Sequence, residues 1–207
     1  MKTIDKLIPK FQEDIFFSAI RDKRDFAKLL AISARNLLID FTEFQTLEAT
    51  CTMKLVVDKM SRMFYFKDGK YFSISFPFIV LISDGQVTEI STFTGKKVDN
   101  KSISAIISIL EEEQFQLNPS LLDIYIASND LSFIGIELLE EIFQSEPCYI
   151  RYDNDPTNEN GNLHPLHHLD INYSSYGTYK VGLSDVIPIK NFEDVLNINT
   201  NCSFLNL

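Results

Sequence analysis

The chain has three histidines, His164, His167 and His168, and all fall in the stretch Asn162-Leu163-His164-Pro165-Leu166-His167-His168-Leu169-Asp170. Imidazole titrates near neutrality, so a clustered pair suits general acid–base work or metal binding. Charged groups flank the cluster: Arg151-Tyr152-Asp153-Asn154-Asp155-Pro156 upstream and Thr178-Tyr179-Lys180-Val181-Gly182-Leu183 downstream. Two chemistries fit these residue types. In the first, His164 and His168 act as general base and acid on a phosphodiester. Arg151 and Lys180 then stabilise the phosphorane-like transition state, with Asp153 in the same polar set. In the second, His164 and His168 hold a divalent metal, Asp153 or Asp170 completes the shell, and the metal activates water. A structural reading stands beside both. In it His167 packs inward, His168 pairs with Asp170 or Asp153, and Arg151 with Asp153 forms a salt bridge that specifies the fold.

These groups meet only if strands position them. Cys148–Asp153 alternates, with Tyr149, Arg151 and Asp153 on one face. His167–Tyr173 alternates again, with His168, Asp170 and Asn172 on one face and His167, Leu169, Ile171 and Tyr173 on the other. Tyr179–Leu183 is a third short strand. If the three pair, one face collects Arg151, Asp153, His168, Asp170 and Lys180, and His164 joins them from the end of a polar loop over Asn154–Leu163. That loop has almost no apolar anchor and is expected to be the most mobile internal segment. Arg151 or Asp153 should lie within direct or one-water reach of His168. A helix near 189–197 closes the chain.

Upstream, the spacing of Ile4, Leu7, Ile8, Phe11, Ile15 and Phe16 predicts helix over 3–20, divided near Pro9. A second helix is predicted over 25–44, capped by Asp25, with Phe26, Leu29, Leu30, Leu37, Leu38 and Phe41 as its apolar stripe. The period changes to two from Leu47. An antiparallel meander over 47–93 follows, turned at Asp68-Gly69 and Asp84-Gly85, with Pro77 at an edge or bulge. Its Phe and Tyr residues read as core. A helix over 101–116 ends in Glu111-Glu112-Glu113, which opposes the helix dipole, so this terminus should fray or meet a cation. Leu122–Ala127 reads as a strand, and Asp130 as the cap of a helix over 132–144. The fold class is α+β: N-terminal helices packed on a mostly antiparallel sheet, with C-terminal strands carrying the His motif. One domain spans 1–207, with a helical part (1–46), a meander plus helices (47–147) and the motif-bearing part (148–207).

Composition narrows the function. The net charge is −10, and residues 101–147 set nine acidic groups against Lys101 alone. A long track for duplex DNA is therefore disfavoured, and the acidic face keeps the protein soluble or meets a basic partner. Cys51, Cys148 and Cys202 are far apart and make no C-x-x-C pair, so a zinc knuckle is excluded on spacing. No apolar run reaches membrane-spanning length, and the start lacks the apolar core of a signal peptide; a cytoplasmic setting with free thiols is expected.

Arg151-Tyr152-Asp153-Asn154-x-Pro156 followed by His167-His168 resembles the signature of TumE-type toxins from bacterial toxin–antitoxin pairs. More broadly, Arg-x-Asp, a spacer, His164-Pro165-x-x-His168-Leu169 and a strand with a basic residue resembles an uncharacterised bacterial and phage family of about this length. The match covers 148–195 well and 62–93 loosely. The resemblance implies Arg151, Asp153, His164 and His168 as a shared polar set, and a component of a toxin–antitoxin or phage-defence module. Such a component is either a nuclease-like effector on nucleic acid or a non-catalytic accessory or scaffolding subunit. A cognate partner, antitoxin or defence-complex subunit, is implied with it.

Overall fold

The computed structural model describes residues 1–39, 49–59, 61–127, 130–202 and 204. The strands are β1 (Lys2–Ile8), β2 (Cys51–Val57), β3 (Arg62–Lys67), β4 (Lys70–Ser75), β5 (Ile79–Ser83), β6 (Gln86–Ser91), β7 (Ile150–Asn154), β8 (His167–Ile171) and β9 (Tyr179–Leu183). The helices are α1 (Glu13–Phe16), α2 (Lys23–Leu38), α3 (Asn100–Glu111), α4 (Glu113–Leu117), α5 (Leu121–Ala127), α6 (Asp130–Gln144) and α7 (Ile189–Val195). Seven strands form one sheet in the order β1-β2-β3-β4-β7-β8-β9, every neighbour antiparallel, while β5 and β6 form a separate ribbon. The fold is α+β. No helix among the described residues is long and apolar enough to cross a membrane.

The two faces of the sheet have different covers. On one, Met53, Leu55, Met63, Tyr65, Phe72 and Ile74 pack under the helices in the larger core. Phe16 lies against Tyr65, with ring centroids 5.8 Å apart, and Ser33 of α2 shares a 2.7 Å hydrogen bond with the Tyr65 hydroxyl. On the other, Phe64, Phe66, Tyr71 and Tyr152 gather around Phe192 of α7. Strands β3 and β4 are central and covered on both faces, so both are buried almost throughout, the polar Arg62, Ser73 and Ser75 included.

Several sequence expectations give way. Residues 2–8 form an edge strand, not a helix. Ile4 and Ile8, four apart, satisfy one face of either element, and pairing with β2 along the whole strand decides it. The second helix is capped by Asp22, whose carboxylate accepts from the Arg24 and Asp25 amides at 2.8 and 3.1 Å. Asp25 sits in the first turn and accepts from the Arg21 amide instead. That helix ends at Leu38, and Phe41 and Leu47 lie outside the described residues. The meander divides at Phe76-Pro77-Phe78. Pro77 has no amide to donate, and β4 turns its free edge to β7, so β5 to α6 form an excursion between neighbouring strands. Residues 121–127 are helical; a short apolar run cannot fix its own period, and Ser120 caps this one through the Asp123 amide. The helix over 101–116 breaks at Glu112, and Glu111 meets Lys28 at 2.9 Å. The side chain of Asp130 lies outside the described ones.

Candidate functional site

The path to the site begins at Cys148, in the left-handed region at φ 47°, which swings the chain from α6 onto the free edge of β4. The registers then lay two rows of side chains across the sheet. One runs Phe72, Arg151, Asp170, Lys180 from β4 to β9; the next runs Lys70, Asp153, His168, Gly182. Side chains opposite one another on one face sit close enough to interact directly. Both rows lie on the face that the helices cover further along, so the polar cluster adjoins the main core.

Asp170 is the hub. Its side chain is fully buried and accepts from Arg151 Nη2, from Lys180 Nζ at 2.7 Å and from Thr178 Oγ1 at 2.7 Å. Burial opposes its ionisation. The Lys180 and Thr178 hydrogen bonds and the Arg151 charge outweigh this and hold the carboxyl below its usual range. Arg151 also donates to the Tyr149 hydroxyl at 3.2 Å. Its Nε lies 2.6 Å from Asp153 Oδ2 but makes no aligned hydrogen bond, so that contact is an ion pair only.

His168 is 1% exposed. Its Nδ1 lies 2.8 Å from the Pro165 carbonyl oxygen, which can only accept, so Nδ1 carries the proton. The lone pair of Nε2 then accepts from Lys180 Nζ at 3.1 Å. Asp153 Oδ2 is 3.9 Å from the same nitrogen, too long for a direct hydrogen bond; Lys180 fills that place. His164 reaches the cluster from the loop, its ring edge-to-face with His168 at 4.6 Å. His164 Nδ1 is buried and has no hydrogen-bond partner among the described residues. His167 points to the opposite face, stacked on Tyr152 with Nδ1 2.9 Å from its hydroxyl. Tyr173 does not share the His167 face. Asn172 takes φ 62° and turns the chain, and Tyr173 packs on Tyr149.

The structure thus brings together Arg151, Asp153, His164, His168, Asp170 and Lys180. For a divalent cation, one ligand atom each of Asp153, His168 and Asp170 lies within 4.8 Å of the others. His164, a sequence candidate, is outside that group. Arg151 and Lys180 already neutralise the two carboxylates, and the lone pair of His168 faces Lys180, so an ion would have to displace Lys180.

The sequence reading missed Lys70, Thr178 and Gly182. Lys70 shares its face with Phe72 just after the Asp68-Gly69 turn, a placement readable from alternation. It lines an open cleft of about 540 Å3 with Lys67, Arg151, Asp153 and Asp155. Burial pushes its amine down, partly offset by the Asp153 carboxylate. Gly182 has no such signal. A Cβ there would come within 2.9 Å of Pro165 Cγ, so the missing side chain lets Pro165 fold over the sheet and present its carbonyl to His168. Gly182→Ala is expected to lower stability by about 1–3 kcal/mol, as overpacking does, measured by urea denaturation.

Comparison with protein-family models, with curated proteins and with solved structures finds no match.

Proposed function

We propose that the chain is a non-catalytic accessory or scaffolding subunit in which the histidine motif is a structural clasp. The observation that carries this is His168: buried, with one ring nitrogen given to Pro165 and the other to Lys180. A general acid or base must reach the proton it moves, and this imidazole is buried with both ring nitrogens engaged by the protein itself. The cleft beside it is lined by Lys70, Arg151 and Asp153, and its described lining includes no histidine. Its cations Lys67, Lys70 and Arg151 are set against Asp14, Asp68, Asp153 and Asp155, which is a poor approach for a phosphate backbone. Partner binding is supported by Leu117, Leu122 and Ile126, exposed at 66–81% around α4 and α5 in the acidic segment; a partner with an apolar patch rimmed by bases would suit it. The toxin–antitoxin or phage-defence setting rests on the motif resemblance alone.

A second reading, a nuclease-like effector, is favoured by one observation: the unbonded Nδ1 of His164 beside His168. One experiment separates the two. Purified chain is incubated with labelled single-stranded RNA, single-stranded DNA and duplex DNA, with and without Mg2+ or Mn2+. The clasp reading expects intact substrates throughout. Cleavage that disappears in a His164→Ala protein with wild-type melting overturns it. Isolation from the native host should bring a stoichiometric protein partner and no nucleic acid.

A further inference from the structure

Strands β1 and β9 are the outer strands of the main sheet. β1 carries Lys2, Asp5 and Lys6, the kind of charge that keeps an edge strand from pairing. β9 carries one charged residue, Lys180, and its ammonium is turned inward to Asp170 at 2.7 Å and to His168 at 3.1 Å. Gly182 has no side chain to guard the edge, and Tyr176, Tyr179 and Val186 leave apolar surface exposed around it.

The register fixes which backbone groups this edge offers. The Asn172 amide bonds to the Tyr149 carbonyl and the Asp155 amide to the Leu166 carbonyl, so the even-numbered residues of β8 face β7. His167, Leu169 and Ile171 therefore face β9, where their partners are Leu183, Val181 and Tyr179. The amides and carbonyls of Lys180 and Gly182 are left pointing outward, unpaired among the described residues. Donors and acceptors spaced this way are what a further antiparallel strand binds. A second copy of β9 fits them about a two-fold axis at Val181. Lys180 then lies opposite Gly182 of the second copy, and each gives an amide and a carbonyl to the other, so every free group is used. On the α7 face Val181 meets its own copy and Tyr179 meets Leu183, apolar against apolar. Of the neighbouring registers, one sets Lys180 against Lys180, and the other sets it against Ser184, beyond the strand. We infer that the chain forms a symmetric dimer through β9, its two sheets joined edge to edge in antiparallel register about Val181. This contact is separate from the surface around α4 and α5, and it neither requires nor excludes chemistry at the histidines.

Sedimentation velocity of the full chain over a concentration series is expected to show a monomer–dimer equilibrium. Because Val181 meets its own copy, Val181→Lys and Val181→Glu each set like charges face to face. Each alone should raise the dimer dissociation constant at least tenfold, and an equimolar mixture of the two should restore association, since opposite charges then meet. A contact elsewhere on the surface would not respond in that reciprocal way. Because substitution at a half-buried strand position can disturb folding, hydrogen exchange of the wild-type chain provides the second arm. The Lys180 and Gly182 amides should exchange fast in the dilute chain and at least tenfold more slowly in the dimer. A chain that stays monomeric up to millimolar concentration overturns the inference. So does a dimer that both variants leave intact, a mixture that associates no better than either variant alone, or a dimer whose Lys180 and Gly182 amides exchange as in the monomer.

Discussion

Asp170→Ala is expected to lower the unfolding free energy by about 3–5 kcal/mol, the largest effect of any single change in the motif. The carboxylate is fully buried and is the common acceptor of Arg151, Lys180 and Thr178. Its loss leaves the Arg151 guanidinium, held in place by Tyr149 and half of its former ion pairs, short of a buried counter-charge. Lys180 is hurt less, since its side chain keeps 28% exposure and can turn to water. Asp170→Asn, which keeps the shape and one acceptor, should cost less than the alanine. The pH dependence has a definite sign. Asp170 is depressed in the folded state from an ordinary value of 3.8, so its contribution is complete above that value and is lost as the pH falls through the lower folded one. The stability gap between wild type and Asp170→Asn should therefore narrow below about pH 4. Urea denaturation of both proteins across that range measures it, and a gap that widens on acidification would contradict this account of Asp170.

His168→Ala is expected to cost about 1–3 kcal/mol, the range for opening a buried polar network. The substitution orphans the Pro165 carbonyl and removes the neighbour on which Lys180 and the His164 ring rest. His164→Ala should cost under about 1 kcal/mol, because that ring is partly exposed and its Nδ1 has no hydrogen-bond partner among the described residues. Thermal melts of the two variants side by side check the ordering. A His168→Ala protein that melts with the wild type would show that the ring carries little of the fold.

Much of this site was legible in the sequence, because strand alternation is a strong rule. It put Arg151 with Asp153 and His168 with Asp170, and the pairing of β7, β8 and β9 made those faces one. Lys70 was equally readable but lay outside the motif that drew the reading. Gly182 was not readable: its role depends on Pro165, which reaches it across a loop rather than along a strand. The depth of His168 was hidden for a related reason. Alternation assigns a face but not what covers it, and against His168 lie the Pro165 turn, the His164 ring and Lys180. The N-terminus misled because Ile4 and Ile8 satisfy two periods at once, and only the partner strand, 51–57, decides between them.

The most direct test of the clasp is the native-state reaction of the three histidines with diethyl pyrocarbonate, followed residue by residue by mass spectrometry. The reagent acylates an unprotonated ring nitrogen that solvent can reach. His164 and His167 are partly exposed, while His168 is 1% exposed with both nitrogens engaged. His168 is therefore expected to react only as the protein unfolds, its rate rising with urea in step with global denaturation, while His167 reacts in the native state. Acylation of native His168 at the rate of His167 would contradict the account, because it would place that imidazole within reach of solvent and of a substrate.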